Sequence, residues 1–341
     1  MRAAVFQPGQ KMMVCEVPDP QCGEGQLTIK VKRCGICGSD LHVTNPAEGF
    51  NLAPGTIIGH EFCGEIVDVG PGLGSLWKEG QRITAVPFMG CGQCANCAVG
   101  QPVWCAKSRT HTTGGVPGGF AEYVVVGAGE SVRIPDSLSW AEGALIEPLA
   151  VGLHAVNLGQ LSLGANVLVM GAGPIGLTVV ACAKAAGAGK VIVADISTQR
   201  ADLARAVGAT EFLLSDERLA EEFARIAGGP PDVVFECVGA PGLIDQCTRL
   251  AAPRSTVVVV GVCMKPDQFI PTVPLSKELR LQFAMAYGKR DFEVAAELIA
   301  RGRVDVSGMV TEVVGFGQFP DALEALRERT TQCKVLLDPE L

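Results

Sequence analysis

The sequence predicts an α/β protein in two parts, a mostly-β domain and a doubly wound domain built on a parallel six-stranded sheet. Three observations predict it. Residues 1 to about 137 form short β-like runs punctuated by Gly and Pro; from about residue 151 apolar strand-like runs alternate with helical stretches; and a glycine-rich turn follows the first of those runs. At 341 residues the chain also exceeds what one core usually organises, and roughly 150 residues per domain gives two.

In order along the chain, residues 1–8 read as a first strand, because Gln7, Pro8, Gln10 and Lys11 interrupt any apolar core of a secretory signal. Further β-like runs lie near residues 27–31, 64–69 and 120–126. Strands of the second part are expected near 167–170, 190–194, 211–214, 232–236, 256–260 and 280–284, with helices near 175–186, 198–207, 217–226 and 243–251. The tail, a helix at 291–301, a strand at 309–314 and a closing helix and strand, leaves the alternating pattern and is expected to pack back onto the first part. No internal repeat or low-complexity tract interrupts this order.

Composition narrows the function. Apolar residues make up 48% of the chain and charged residues 19%, enough burial to offset the ordering entropy of the backbone. A net charge of -8 repels phosphate backbones and acidic lipid surfaces, so neither nucleic acid nor membrane is an expected partner. The uncharged stretch 167–183 is too broken by Gly171, Gly173, Pro174 and Gly176 to be a membrane span. Fourteen cysteines in a long chain without an export signal, several at metal-ligand spacing, fit a reducing cytoplasm and bound metal.

The run Val167-Leu168-Val169-Met170 enters Gly171-Ala172-Gly173-Pro174-Ile175-Gly176 and then an apolar helix, the context that gives a G-x-G-x-x-G pattern meaning. Gly171 permits the tight turn, Gly173 lets backbone N–H groups approach a pyrophosphate, and Gly176 lets helix and sheet touch. Asp195 follows nineteen residues after Gly176, where a carboxylate accepts bonds from ribose hydroxyls and repels a 2′-phosphate. NAD is therefore expected over NADP, although Arg200 nearby softens the discrimination. Val151, where the alternating region opens, is counted with the cofactor-facing residues.

Cys91-x2-Cys94-x2-Cys97-x7-Cys105 sets four thiols within fifteen residues, a closed tetrahedral set for a structural zinc. An iron–sulfur cluster also takes four thiolates, but no Pro follows Cys105 and nothing else implies one-electron transfer. A second metal signature is spread wider. Cys37 and His60 offer one sulfur and one imidazole, which leaves a zinc open, and Glu147 lies at the join of the two parts as a further oxygen donor.

Taken in order, G-I-C-G-S-D-L-H (35–42), G-H-E (59–61), the four-cysteine run, A-L-I-E-P-L (144–149) and G-A-G-P-I-G (171–176) resemble the medium-chain zinc alcohol dehydrogenases, in particular the sorbitol and threonine dehydrogenase-like branch. The resemblance covers essentially the whole chain. It implies a GroES-like catalytic domain from residues 1–150 and 286–341 around a Rossmann NAD-binding domain at 151–285. It implies a catalytic zinc held by Cys37, His60, Glu61 and Glu147, with either glutamate acting directly or through water. It also implies a proton relay from Ser39 through the cofactor ribose to His42, Asp40 on the free imidazole N–H of His60, and Lys334 on the pyrophosphate. Bacterial relatives are often tetramers, so a homo-oligomer is expected.

Zinc lowers the pKa of a bound hydroxyl, for water from about 15.7 to about 7, so hydride can pass from the alcohol carbon to the nicotinamide near neutral pH. The expected substrate is a small secondary or cyclic alcohol. Sorbitol dehydrogenase-like enzymes often carry an Arg-Tyr pair, whereas this chain has Ala286-Tyr287, and Phe50, Phe88, Met89 and Met285 suggest an apolar pocket. A polyol or L-threonine-like substrate is the alternative. Two rivals stand outside that activity: a zinc-free NADPH-dependent reductase, which the Cys37, His60 and Glu147 set argues against, and a non-catalytic nucleotide-binding redox sensor or structural protein.

Overall fold

In the computed structural model, which describes residues 1–9, 11–48, 50–113, 115–328 and 331–341, the chain divides into two units. Met1–Glu147, Tyr287–Arg301 and Val310–Leu341 form a terminal unit, and Pro148–Ala286 with Gly302–Met309 form a central one.

The terminal unit is organised by strand Gln26–Gly35. Its Leu27, Ile29 and Val31 recur at a period of two and are fully buried on one face. This strand pairs antiparallel with Glu61–Val69, Tyr123–Gly127 and Lys334–Leu337. Across the main sheet the order is Val310–Val314, Lys334–Leu337, Gln26–Gly35, Glu61–Val69, Arg82–Ala85 and Ser131–Arg133. Leu336 therefore stands opposite Gly35 and Leu337 opposite Cys34, which ties the end of the chain to its beginning. Phe62, Phe120 and Phe319 are fully buried in the core beneath, and each contributes roughly 1.5–3 kcal/mol by leaving water.

The central unit holds six parallel strands: Asn166–Met170, Lys190–Asp195, Glu211–Leu214, Val233–Glu236, Thr256–Val259 and Arg280–Phe283. Numbered in chain order they lie 3-2-1-4-5-6 across the sheet. The inner strands are continuous apolar runs because helices cover both faces of such a sheet. The order reverses between the first and fourth strands, and ligand crevices of this architecture open at that switch, beyond the carboxyl ends of the strands.

Two departures from the sequence reading are informative. Residues 302–309, counted there with the terminal domain, belong to the central unit, because buried Val306 and Met309 carry the short helix Ser307–Met309 onto helix Ala201–Ala206. Helices Trp140–Ala144, Ile146–Gly159 and Thr272–Ser276 fill stretches where no element is expected from the sequence. Ile146–Gly159 is apolar around most of its circumference, and Thr272–Ser276 is five residues long, so neither displays a helical stripe. Among the described residues no helix is long and apolar enough to cross a membrane.

Close strand approach at Gly64 gives a test. A Cβ there would stand 2.1 Å from the Lys30 carbonyl oxygen and 3.1 Å from Val31 Cα, whereas one at Gly74 would meet nothing within 4 Å. Gly64→Ala is expected to destabilise the fold by about 3 kcal/mol or more in denaturant unfolding, and Gly74→Ala to stay within about 0.5 kcal/mol of the parent.

Candidate functional site

Cys37 is the N-cap of helix Gly38–Val43, with φ −100° and ψ 155°. Asp40, fully buried one turn on, folds back so that its Oδ2 accepts the Cys37 N–H at 2.9 Å. Its other oxygen, Oδ1, lies 3.4 Å from His60 Nδ1. One carboxylate thus fixes the backbone of Cys37 and faces His60 Nδ1 without a hydrogen bond, both facing atoms being unpartnered among the described residues, while Nε2 on the far side of the ring lies beside Ser39 Oγ. Gly59 brings the histidine in: its φ is +103°, and a Cβ would stand 2.7 Å from the Phe120 ring. Burial opposes a charge on His60, yet Asp40 and Cys37 outweigh it and hold the imidazole pKa well above its usual value.

Glu61 opens strand Glu61–Val69 opposite Gly35. The missing side chain at Gly35 is what makes room, since a Cβ there would fall 2.1 Å from Glu61 Oε2. Lys334 completes the pair. Its ammonium donates to Glu61 Oε1 and, at 3.2 Å, to the carbonyl of Ile36. The placement of Lys334 on a pyrophosphate is therefore corrected: the side chain is 1% exposed and enclosed against Glu61. Pairing of strand Lys334–Leu337 with Gln26–Gly35 turns the lysine inward. Although burial opposes the charge, Glu61 and Cys37 keep that lysine protonated.

The Cys37 sulfur, a His60 nitrogen and a Glu61 oxygen all lie within 4.8 Å of one another, and Glu147 is not in that group. Glu61 Oε2 is buried and has no hydrogen-bond partner among the described residues. An orphaned buried carboxylate oxygen is costly alone, and a carboxylate grouped with sulfur and imidazole is satisfied by a cation, so the residues fit a zinc with an open position. Glu147 is 4% exposed and receives the Tyr287 hydroxyl on Oε1. Burial pushes its pKa up to about 7, with His60 pulling it down and Glu61 pushing it up, which puts all three groups in one electrostatic neighbourhood.

Ser39 Oγ is 3.3 Å from His60 Nε2. Three residues further along the same helix, on the same face, His42 Nδ1 pairs with Glu48 Oε2 at 2.5 Å. Glu48 is a partner the sequence reading missed; the signal available was a carboxylate six residues after His42. Of the proposed pocket residues, Met89 is buried, Phe50 packs against the terminal core, Phe88 meets the Tyr287 ring edge-on at 6.5 Å, and Met285 of the central unit is exposed.

The four sulfurs of Cys91, Cys94, Cys97 and Cys105 also lie within 4.8 Å of one another. Backbone N–H groups of Gln93 and Cys94 lower the Cys91 pKa, while burial raises that of Cys97. Gly90 is required here, because its Cβ would stand 2.4 Å from the Cys97 sulfur. Amides aimed at sulfur favour thiolates, and four of them fit a closed structural zinc.

In the central unit, Gly171 has φ +101°, and a Cβ on Gly176 would stand 1.9 Å from the Gly171 carbonyl oxygen. Gly173 caps helix Pro174–Ala185, and the space before its absent Cβ is open to 4 Å, a cradle fit for a phosphate at a helix N-terminus. Pro174 and Ile175 form the first turn, Val151 is half-buried on helix Ile146–Gly159, and Arg200 caps helix Ala201–Ala206. Asp195 does more than the sequence reading assigns it, because Oδ2 accepts the Ala172 N–H at 2.8 Å and Oδ1 that of Ser197 at 3.1 Å. Across the switch point, buried Glu236 accepts the N–H groups of Val238 and Gly239, each at 2.8 Å.

Fold and donor sets together define a class, the zinc-binding alcohol dehydrogenases. Residues 23–136 match the model of the alcohol dehydrogenase GroES-like domain and residues 174–301 that of the zinc-binding dehydrogenase domain. Sorbitol dehydrogenase of Bacillus subtilis (strain 168) is 33% identical over 99% of this chain and 97% of its own length. Among solved structures, an alcohol dehydrogenase from Escherichia coli CFT073 complexed with NADH has a TM-score of 0.90 at 29% identity, covering 99% of both chains. A zinc-binding dehydrogenase from Sinorhizobium meliloti 1021 bound to NADP has a TM-score of 0.89 at 33% identity, again over 99% of both. The chain belongs to the medium-chain zinc-dependent alcohol dehydrogenase family, in its sorbitol dehydrogenase-like branch.

The buried Lys334–Glu61 pair yields a prediction. Lys334→Met leaves a carboxylate without its cation and is expected to cost about 3–5 kcal/mol in unfolding of the zinc-loaded protein. Adding Glu61→Gln recovers most of that stability while zinc affinity at Cys37, read by chelator competition, stays at least about tenfold below the parent. Stability of the single variant equal to the parent would contradict the pairing.

Proposed function

We propose that the chain interconverts a small secondary or cyclic alcohol and its ketone with NAD, using one zinc at Cys37, His60 and Glu61 for chemistry and another at Cys91, Cys94, Cys97 and Cys105 for structure. The observation that carries this reading is the open donor set, in which a sulfur, an imidazole nitrogen and an oxygen of Glu61 lie within 4.8 Å of one another, Oε2 of that buried carboxylate having no partner among the described residues. When bound, zinc supplies the Lewis acidity that makes a hydroxyl ionisable near neutral pH, and NAD supplies the hydride acceptor.

Around them the chain's own residues orient and move protons. Asp40 stands at the Nδ1 side of the His60 ring, and Lys334 holds Glu61 by one oxygen and leaves the other for the ion. Ser39 takes the substrate hydroxyl proton, and His42, braced by Glu48, receives it on the exposed side of the helix. The backbone of the Gly171–Gly176 turn binds pyrophosphate, and Asp195 accepts the adenosine ribose hydroxyls on lone pairs left over from its bonds to Ala172 and Ser197. A 2′-phosphate would meet that carboxylate, which supports NAD over NADP.

The substrate reading rests on Ala286, which offers no charged anchor, and on Tyr287, whose single O–H is spent on Glu147. A polyol is the second reading, favoured by the likeness to sorbitol dehydrogenase. The assembly proposed is a homotetramer in the cytoplasm. Edge strand Arg280–Phe283, with Phe283 59% and nearby Leu275 75% exposed, supports association of copies, and fourteen cysteines free of disulfides support a reducing compartment.

An NAD-reduction screen across polyols, linear secondary alcohols and cyclic alcohols tests the reading. Expected are at least a tenfold higher kcat/KM for secondary or cyclic alcohols than for sorbitol, on the order of one extra hydrogen-bond mismatch, and a fall in turnover by roughly a hundredfold in Ser39→Ala. Activity confined to sorbitol-like substrates overturns the substrate assignment. No turnover on any alcohol, with both zinc sites filled, favours a nucleotide-binding protein without catalysis.

A further inference from the structure

Glu147 and Tyr287 are each 4% exposed, stand 140 residues apart in sequence, and are joined by the tyrosine hydroxyl on Glu147 Oε1. A buried carboxylate needs such donors to replace lost water. The ring that supplies this one is itself fixed. Fully buried Phe292 lies 5.0 Å from it at 60° and Phe88 lies 6.5 Å away at 63°. The backbone on either side is fixed as well. Ala286 sits at φ +53°, a left-handed conformation that a residue with a Cβ adopts only when its surroundings demand it, and Gly288 donates its N–H to Asp291 Oδ2 at 2.8 Å as helix Lys289–Ala300 begins.

Glu61 is held in a parallel way. One of its oxygens takes the Lys334 ammonium and the other is left without a partner. The two donors differ in charge, however. Lys334 offsets the charge of Glu61, whereas a neutral phenol orients Glu147 and brings no positive charge to it.

We propose that Tyr287 is a positioning residue for the ion site: its hydroxyl occupies Oε1 of Glu147 and so reserves Oε2 for the ion held by Cys37, His60 and Glu61, or for that ion's water. This rests on the zinc-site reading above and deepens it. It also gives the Ala286-Tyr287 sequence a task within the protein, since a phenol whose proton is committed to Glu147 can only accept, and not donate, a hydrogen bond from a substrate hydroxyl.

Cobalt(II) replacing zinc in the full chain is the probe, with the spectrum of Cys37→Ser subtracted to isolate this ion from the one at the four cysteines. Tyr287→Phe is expected to shift the visible cobalt bands and to weaken the ion's affinity, by competition with a chromogenic chelator, about 10- to 100-fold. Combining it with Glu147→Gln is expected to add little further loss. Should removal of the buried hydroxyl prevent folding, Glu147→Gln alone is the measure: its amide oxygen still accepts the phenol, and a shifted cobalt spectrum supports the proposal while an unshifted one overturns it. A Tyr287→Phe protein with parental spectrum and affinity overturns the proposal alone. Equal metal content in the parent and Cys37→Ser overturns the ion site and the proposal with it.

Discussion

Asp40, His60, Glu61, Glu147 and Lys334 are all buried within one region of the terminal unit, and moving each charged form out of water costs several kcal/mol unless it finds a partner. Each does. Asp40 accepts the Cys37 N–H and lies 3.4 Å from His60 Nδ1, Lys334 lies on Glu61, and Tyr287 lies on Glu147. Three carboxylates stand against one lysine and one histidine, and Cys37 as a metal ligand would add a further negative charge. A divalent cation removes that surplus and satisfies Glu61 Oε2, so the same interaction that makes the site reactive also makes the packing around it tolerable.

That requirement explains features that otherwise look incidental. Gly35 and Gly59 lack side chains because Glu61 and Phe120 occupy the space a Cβ would take. Pairing of strand Lys334–Leu337 with the strand ending at Gly35 brings Lys334 onto Glu61. The four-cysteine lobe contrasts with this. All its donors come from one short stretch, its own backbone amides favour the thiolates, and no distant residue is needed to complete it. A closed local set serves rigidity, and an open non-local set leaves a position for chemistry.

The central unit follows simpler rules. Parallel strands buried on both faces, a glycine turn and a helix N-terminus make an anion site almost entirely from backbone. Its side-chain contributions are the carboxylates at strand ends. Asp195 steadies Ala172 within the turn, and Glu236 steadies Val238 and Gly239 on the other side of the switch point. The residue read from sequence as a ribose acceptor thus also braces the turn, and any substitution there acts on both.

The sequence by itself determined the parts whose chemistry is local. Six strands came out within a residue or two of their observed bounds, because each is a short apolar run framed by turns. The four-cysteine set and the glycine turn were legible because sulfur spacing and backbone geometry constrain them directly, whereas Glu61 entered the second set only through the family resemblance. Tertiary structure alone decided which side chains meet across the chain. Lys334 faces Glu61 instead of a phosphate because strand pairing, and not its neighbours in sequence, sets the direction of its side chain. Tyr287 reaches Glu147, and Glu61 joins Cys37 and His60 ahead of Glu147, for the same reason. Periodicity reports the local backbone, whereas the partner of a buried charge is chosen by packing between segments that here lie 140 and 273 residues apart.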